Sequence, residues 1–157
     1  MTTSEPPPGA GELTDTRGPA RGWGRLVMVL YWVFAIITTI PALWFLIREG
    51  ATPIGPQLVA VAAGLVYVLA AVGITHNGQR MRGIAWACVI VAFVGPLIVG
   101  LWGLGGAPTE PHAYFSAWAD FGRDYWYTTL LVPLIGMWWL WFSDPRRIVT
   151  LSQARDV

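Results

Sequence analysis

Four stretches of this chain, at about 26–47, 58–74, 83–104 and 125–142, contain no charged side chain and run for 17 to 22 residues. A lipid core offers backbone N–H and C=O groups no water, so a segment of this kind must satisfy them itself and becomes a helix. The first stretch, Leu26 to Ile47, reaches roughly 33 Å as a helix, enough to cross a hydrocarbon layer of about 30 Å. The pattern therefore predicts an all-α polytopic membrane protein, a bundle of four transmembrane helices. Composition agrees: 55% of the 157 residues are hydrophobic and only 12% are charged, outside the range of an ordinary soluble domain. Proline falls within the third span, at the Gly95-Pro96 step, and within the fourth, at Pro133. In lipid such residues are tolerated because neighbouring groups satisfy the carbonyl they free.

The basic residues predict how the chain is threaded. All ten are arginines, and eight flank the spans on one side. Arg17, Arg21 and Arg25 precede the first span, Arg80 and Arg82 join the second to the third, and Arg146, Arg147 and Arg155 follow the fourth. Only Arg48 and Arg123 fall in the opposite loops. Cytoplasmic loops carry such an excess, so both termini are expected inside a plasma membrane. Tryptophans repeat the division, with Trp44, Trp102, Trp118 and Trp126 towards the outer ends and Trp23, Trp138, Trp139 and Trp141 towards the inner ones. An indole suits the headgroup level on either side.

Outside the 21–147 transmembrane domain, residues 1–20 hold Pro6, Pro7, Pro8 and Pro19 and no aromatic side chain, which predicts a disordered tail. No apolar stretch starts near residue one, as a secretory signal would require. Residues 148–157 form a short C-terminal tail. Asn77-Gly78 predicts a tight turn between the second and third spans. In the loop of about 105–124, Tyr114, Phe115, Trp118 and Phe121 recur at helical spacing, and Thr109 could cap a helix there. A short helix lying flat on the outer membrane surface is expected.

Residues that could carry chemistry are few. His112, Ser116 and Asp120 are residue types of a catalytic triad, but on one helix the ends would stand roughly 12 Å apart in a line. Glu110, His112, Asp120 and Asp124 lack the spacing of a metal site. The lone cysteine, Cys88, excludes a disulfide framework. With no basic face beyond the membrane flanks, nucleic acid is not an expected partner. The spans contain no Asp, Glu, Lys, Arg or His, whereas ion-coupled carriers ordinarily place an ionisable group at membrane depth. Facing histidines for haem are missing too, so no cofactor, metal ligand or catalytic residue is expected, and an enzyme is the less favoured class. The polar residues within the spans are mainly Tyr31, Thr38, Thr39, Tyr67, Cys88, Thr128 and Thr129.

Two surfaces remain. Outside, Trp118, Asp120, Arg123 and Asp124 form the densest polar cluster; Asp124 could cap the fourth helix and Arg123 could pair with either acid. Inside, Arg21, Arg25, Arg80, Arg82, Arg146 and Arg147 could meet anionic lipid headgroups. Ala60 with Gly64, and Gly83 with Ala87, are small residues four apart that would let helix backbones approach.

The strings Tyr31-Trp-Val-Phe-Ala35, Leu65-Val-Tyr-Val-Leu-Ala70, Gly83-Ile-Ala-Trp-Ala87, Trp118-Ala-Asp-Phe-Gly-Arg123 and Pro133-Leu-Ile-Gly-Met-Trp-Trp139 span the chain from the first to the fourth run. Their pattern resembles the uncharacterised small four-span integral membrane proteins of actinobacteria. That resemblance implies a fold and no mechanism. The expected function is structural or accessory: a small membrane protein that packs against other membrane subunits, or itself, within the lipid bilayer. The alternative is an oligomeric transporter or channel for a neutral or lipophilic solute.

Overall fold

Every apolar run is helical in the computed structural model of the chain, which describes residues 23–49, 54–76, 79–104 and 116–143. Helix α1 is Trp23–Glu49, α2 Ile54–Thr75, α3 Gln79–Leu104 and α4 Thr128–Phe142. A 3-10 segment, Ala119–Tyr125, precedes α4. Helices α1, α2 and α3 are long and apolar enough to cross a membrane. At 15 residues α4 is only about 22 Å long, and it starts at Thr128 rather than near 125. The terminal tails and the Asn77-Gly78 turn lie outside the described residues.

Neighbours in sequence are neighbours in space and run antiparallel. Trp32 Nε1 donates to Thr75 Oγ1 over 3.0 Å, tying the first half of α1 to the last turn of α2. A Cβ added at Gly73 would stand 2.9 Å from that of Ala85, which fixes the α2–α3 register. Gly24 of α1 meets the Trp139 ring of α4 and closes the circuit. The starts of α1 and α3 and the ends of α2 and α4 therefore share one end, which carries Arg25, Arg80 and Arg82. The opposite end carries Arg48 and Arg123.

The interior is built from small and hydroxylated residues. Ala35, Ala63, Ala70, Ala71, Ala85 and Ala92 are buried with Tyr31, Tyr67, Thr38 and Thr129, while Leu26, Ile36, Ile40, Leu69, Ile98 and Leu101 face outward. Water would drive the opposite sorting. In lipid the large side chains lose nothing by facing outward, and small faces bring helices into close contact. Of the two small pairs, Ala60 and Gly64 are buried, with Gly64 against Thr39 of α1. Gly83 and Ala87 instead face outward, and a Cβ at Gly83 would meet nothing within 4 Å. The α2–α3 hairpin is tightened by Gly73 on Ala85.

The described part of the outer loop departs from a flat amphipathic helix. Asp120, Phe121 and Gly122 have φ of 45°, 59° and 78°, so the 3-10 turns are broken by left-handed residues. Trp126 and Tyr127 are left-handed as well, at 55° and 57°. The reason is inward packing: a Cβ at Gly95 would lie 2.5 Å from the Trp118 ring, and one at Gly100 2.6 Å from Phe121. Arg82 of α3 reaches Leu140 and Ser143, so Thr128 comes level with about residue 95 of α3. Beyond that level Gly100 and Gly103 of α3 face Phe121 and Asp120 of the folded segment instead of α4. Thr109, Tyr114 and Phe115 lie outside the described residues.

Candidate functional site

Proline cannot donate a backbone hydrogen bond, so each helix-interior proline leaves the carbonyl four residues earlier without its usual partner. Pro133 frees Thr129 O, and the buried Tyr67 hydroxyl donates to that oxygen over 3.0 Å. Pro41 frees Ile37 O, and the Tyr125 hydroxyl donates to it over 3.3 Å. A third tyrosine, Tyr31, donates to Val132 O at 3.1 Å and sits where a Cβ at position 136 would otherwise stand. Gly136 makes that approach possible. Tyr31 and Tyr67 thus tie α1 and α2 to α4, and Tyr125 ties the turn before α4 back to α1. Phe34 fills the space between, with its ring 4.8 Å from Tyr67 and 5.9 Å from Tyr125.

The arginine end divides its residues by role. Arg82 donates through Nη1 to Ser143 O at 2.8 Å and through Nη2 to Leu140 O. These carbonyls belong to the last turn and C-cap of α4, where partial negative charge favours a cation. Arg82 is thereby committed to α4, while Arg25 and Arg80 are exposed. No acid accompanies them among the described residues of that end, and Trp23, Trp138 and Trp141 are exposed there. Arg21, Arg146 and Arg147 lie outside the described residues. Arg82→Gln is expected to lower stability by about 2 kcal/mol, since bonds to a charged donor contribute more than neutral ones. Arg25→Gln and Arg80→Gln should stay within about 0.5 kcal/mol. Reversible unfolding in mixed micelles measures both.

At the other end the four candidate contact residues separate. Trp118 turns inward against Gly95 and is half-buried. Asp120, Arg123 and Asp124 remain exposed, and no ion pair joins them among the described residues. Asp124 does not cap α4: the N-cap is Tyr127, without a side-chain cap, because the left-handed Trp126–Tyr127 pair separates Asp124 from the helix. Thr128 Oγ1 instead donates to Tyr125 O, and Tyr127 N–H to Gly122 O at 3.1 Å. The turn pushes Trp126 outward to 88% exposure, with Tyr127 also exposed beside it. Arg48 stacks on Trp44, its guanidinium carbon 4.9 Å from the ring centroid. Ser116 is buried and its Oγ accepts from the Trp118 N–H at 3.3 Å, while Glu110 and His112 lie outside the described residues. No group of three or more His, Cys, Asp or Glu side chains is arranged to hold a metal among the described residues.

No protein-family model, curated protein or solved structure matches this chain. The geometry gives three residues already named from the sequence roles that the sequence did not assign to them. Tyr67 could have been singled out as a hydroxyl available to a proline-freed carbonyl, whereas Arg82 becomes distinct from Arg80 only through the helix register. Trp126 is legible in the sequence only as an outer-end tryptophan, since its outward turn depends on backbone angles that its neighbours do not announce.

Proposed function

We propose that this is a small accessory protein of the plasma membrane, crossing it four times with both termini in the cytoplasm and serving as a packing partner for other membrane subunits. The observation that carries the reading is the use of its buried hydroxyls. Tyr31 and Tyr67 donate to backbone carbonyls of α4 and hold helices together, and Thr38 donates to carbonyls of its own helix, so the three hydroxyls are committed to the backbone rather than to a passage or a reacting group. The arginine asymmetry supports the threading, and the 3-10 segment beside α3 supplies the height that α4 lacks.

The contact surface is Asp120, Arg123 and Asp124, extended by Trp126 and Tyr127. An exposed Trp next to an arginine has the composition of an interface anchor. Affinity purification in mild detergent, followed by mass spectrometry, is expected to recover another integral membrane protein at fixed stoichiometry. Trp126→Ala combined with Arg123→Ala should reduce that recovery at least tenfold without changing the amount of folded protein. A lone monomer across several detergents would contradict the proposal.

A further inference from the structure

Local sequence and tertiary packing pull the residues before α4 in opposite directions. Tyr125 to Phe142 contains no charged side chain, and Tyr125 continues at helical spacing the buried face of Thr129, Val132, Gly136 and Leu140. Asp124 stands directly before that run, where aspartate is a favoured N-cap. These signals describe a helix of about 27 Å, against about 22 Å for α4. The folded chain gives up the longer helix and holds Trp126 and Tyr127 in left-handed conformations, at φ 55° and 57°, that only glycine adopts freely. We infer that α4 has a second, longer form starting at Tyr125 with Asp124 as its N-cap, and that bilayer thickness selects between the two. The inference rests on the four-crossing reading above.

The exchange keeps backbone donors supplied. In the short form Trp126 N–H donates to Arg123 O over 3.0 Å and Tyr127 N–H to Gly122 O over 3.1 Å. In the long form these are the second and third N–H groups of the helix, one of which the Asp124 carboxylate accepts as N-cap. Gly122, at φ 78°, lies directly against Thr129, so lengthening α4 lifts Gly122 away from it. Recesses on α3 hold the short form, with Trp118 on Gly95 and Phe121 on Gly100. Strain in the left-handed pair opposes them. So does lipid: a 15-residue helix leaves about 8 Å of a hydrocarbon layer of about 30 Å to a segment bearing the exposed Asp120, Arg123 and Asp124. A thicker layer immerses those charges unless the helix takes up Tyr125, Trp126 and Tyr127, a gain of about 4.5 Å. Two packings of one segment, each held by its own contacts, make a two-state element rather than a continuous spring. The change re-aims Trp126 and Tyr127, and so couples the proposed contact surface to the lipid around it.

Cys88 is the only cysteine, so spin labels on Arg123→Cys and Phe142→Cys in a Cys88→Ala background report one distance by electron double resonance. Tilting of the whole bundle leaves that distance unchanged. In nanodiscs of phosphatidylcholine with short chains, about 14 carbons, the short form is expected to dominate. With chains of about 22 carbons a second distance, longer by roughly 5 Å or more, should rise at least about threefold in population. Gly122→Ala should favour the longer distance in either lipid, because a side chain has no room against Thr129. Asp124→Ala, which removes the cap, should favour the shorter one. The lipid comparison needs neither variant, and one unchanged distance in both lipids overturns the inference. The fourth crossing is checked separately on intact cells, where an impermeant maleimide should reach the Arg123→Cys thiol and spare the Phe142→Cys thiol. Reaction of both would remove the crossing and the length change together, whereas an unchanged distance with the crossing intact removes the length change alone.

Discussion

Tyr67→Phe is expected to destabilise the bundle by about 1–3 kcal/mol, and most of that loss should disappear when Pro133→Ala is added. The phenol ring stays, so the packing against Phe34 is kept and only the hydroxyl is removed. What remains is Thr129 O, buried, with no N–H at position 133 to replace the lost donor. Alanine at 133 restores that N–H to the ordinary helical bond, so the carbonyl no longer depends on Tyr67. Reversible unfolding of the four proteins of the cycle, in mixed micelles, gives the coupling energy. Equal losses from Tyr67→Phe with and without Pro133 would show that the hydroxyl serves something other than the freed carbonyl.

Gly64→Leu is expected to be more damaging still, at about 3 kcal/mol or beyond. A Cβ at this position would stand 2.8 Å from Thr39 Cα, and a helix backbone cannot rotate away as a side-chain tip can. The helices would have to separate, taking the α1–α2 contact with them. Gly83→Leu is the matched control, since nothing lies within 4 Å of its added Cβ. That variant should be neutral or slightly more stable, because leucine is the better helix former. Circular dichroism during thermal unfolding separates the two, and equal behaviour would mean that the small residues do not set the helix approach.

Legibility in the sequence followed the physics that each feature depends on. Burying uncharged runs in lipid is a matter of length and polarity, so α1, α2 and α3 could be read directly from the chain. The start of α4 could not, because Tyr125, Trp126 and Tyr127 are as apolar as the helix they precede. Left-handed conformations usually announce themselves through glycine or asparagine, and here they fall on Asp120, Phe121, Trp126 and Tyr127. Spacing alone suggested an amphipathic helix for Trp118 and Phe121, whereas Gly95 and Gly100 on α3 provide the recesses that draw both inward. Helix faces were equally hard to assign. In a segment apolar all round, nothing in hydropathy says whether Gly73 or Gly83 meets the neighbouring helix. The candidate site suffered most: Arg80 and Arg82 are alike in sequence, and only the antiparallel register puts one of them on the end of α4.

Everything proposed for this chain depends on the fourth crossing being complete, with a 15-residue α4 extended by the segment before it. Reporter fusions placed beyond Phe142, before Trp23 and at Asp124 read the side of the membrane at each point. A fluorescent protein at either terminus should fold and fluoresce in the cytoplasm, while alkaline phosphatase should be active only at Asp124. An active phosphatase beyond Phe142, with the amino-terminal fusion still cytoplasmic, would leave three crossings and contradict the account.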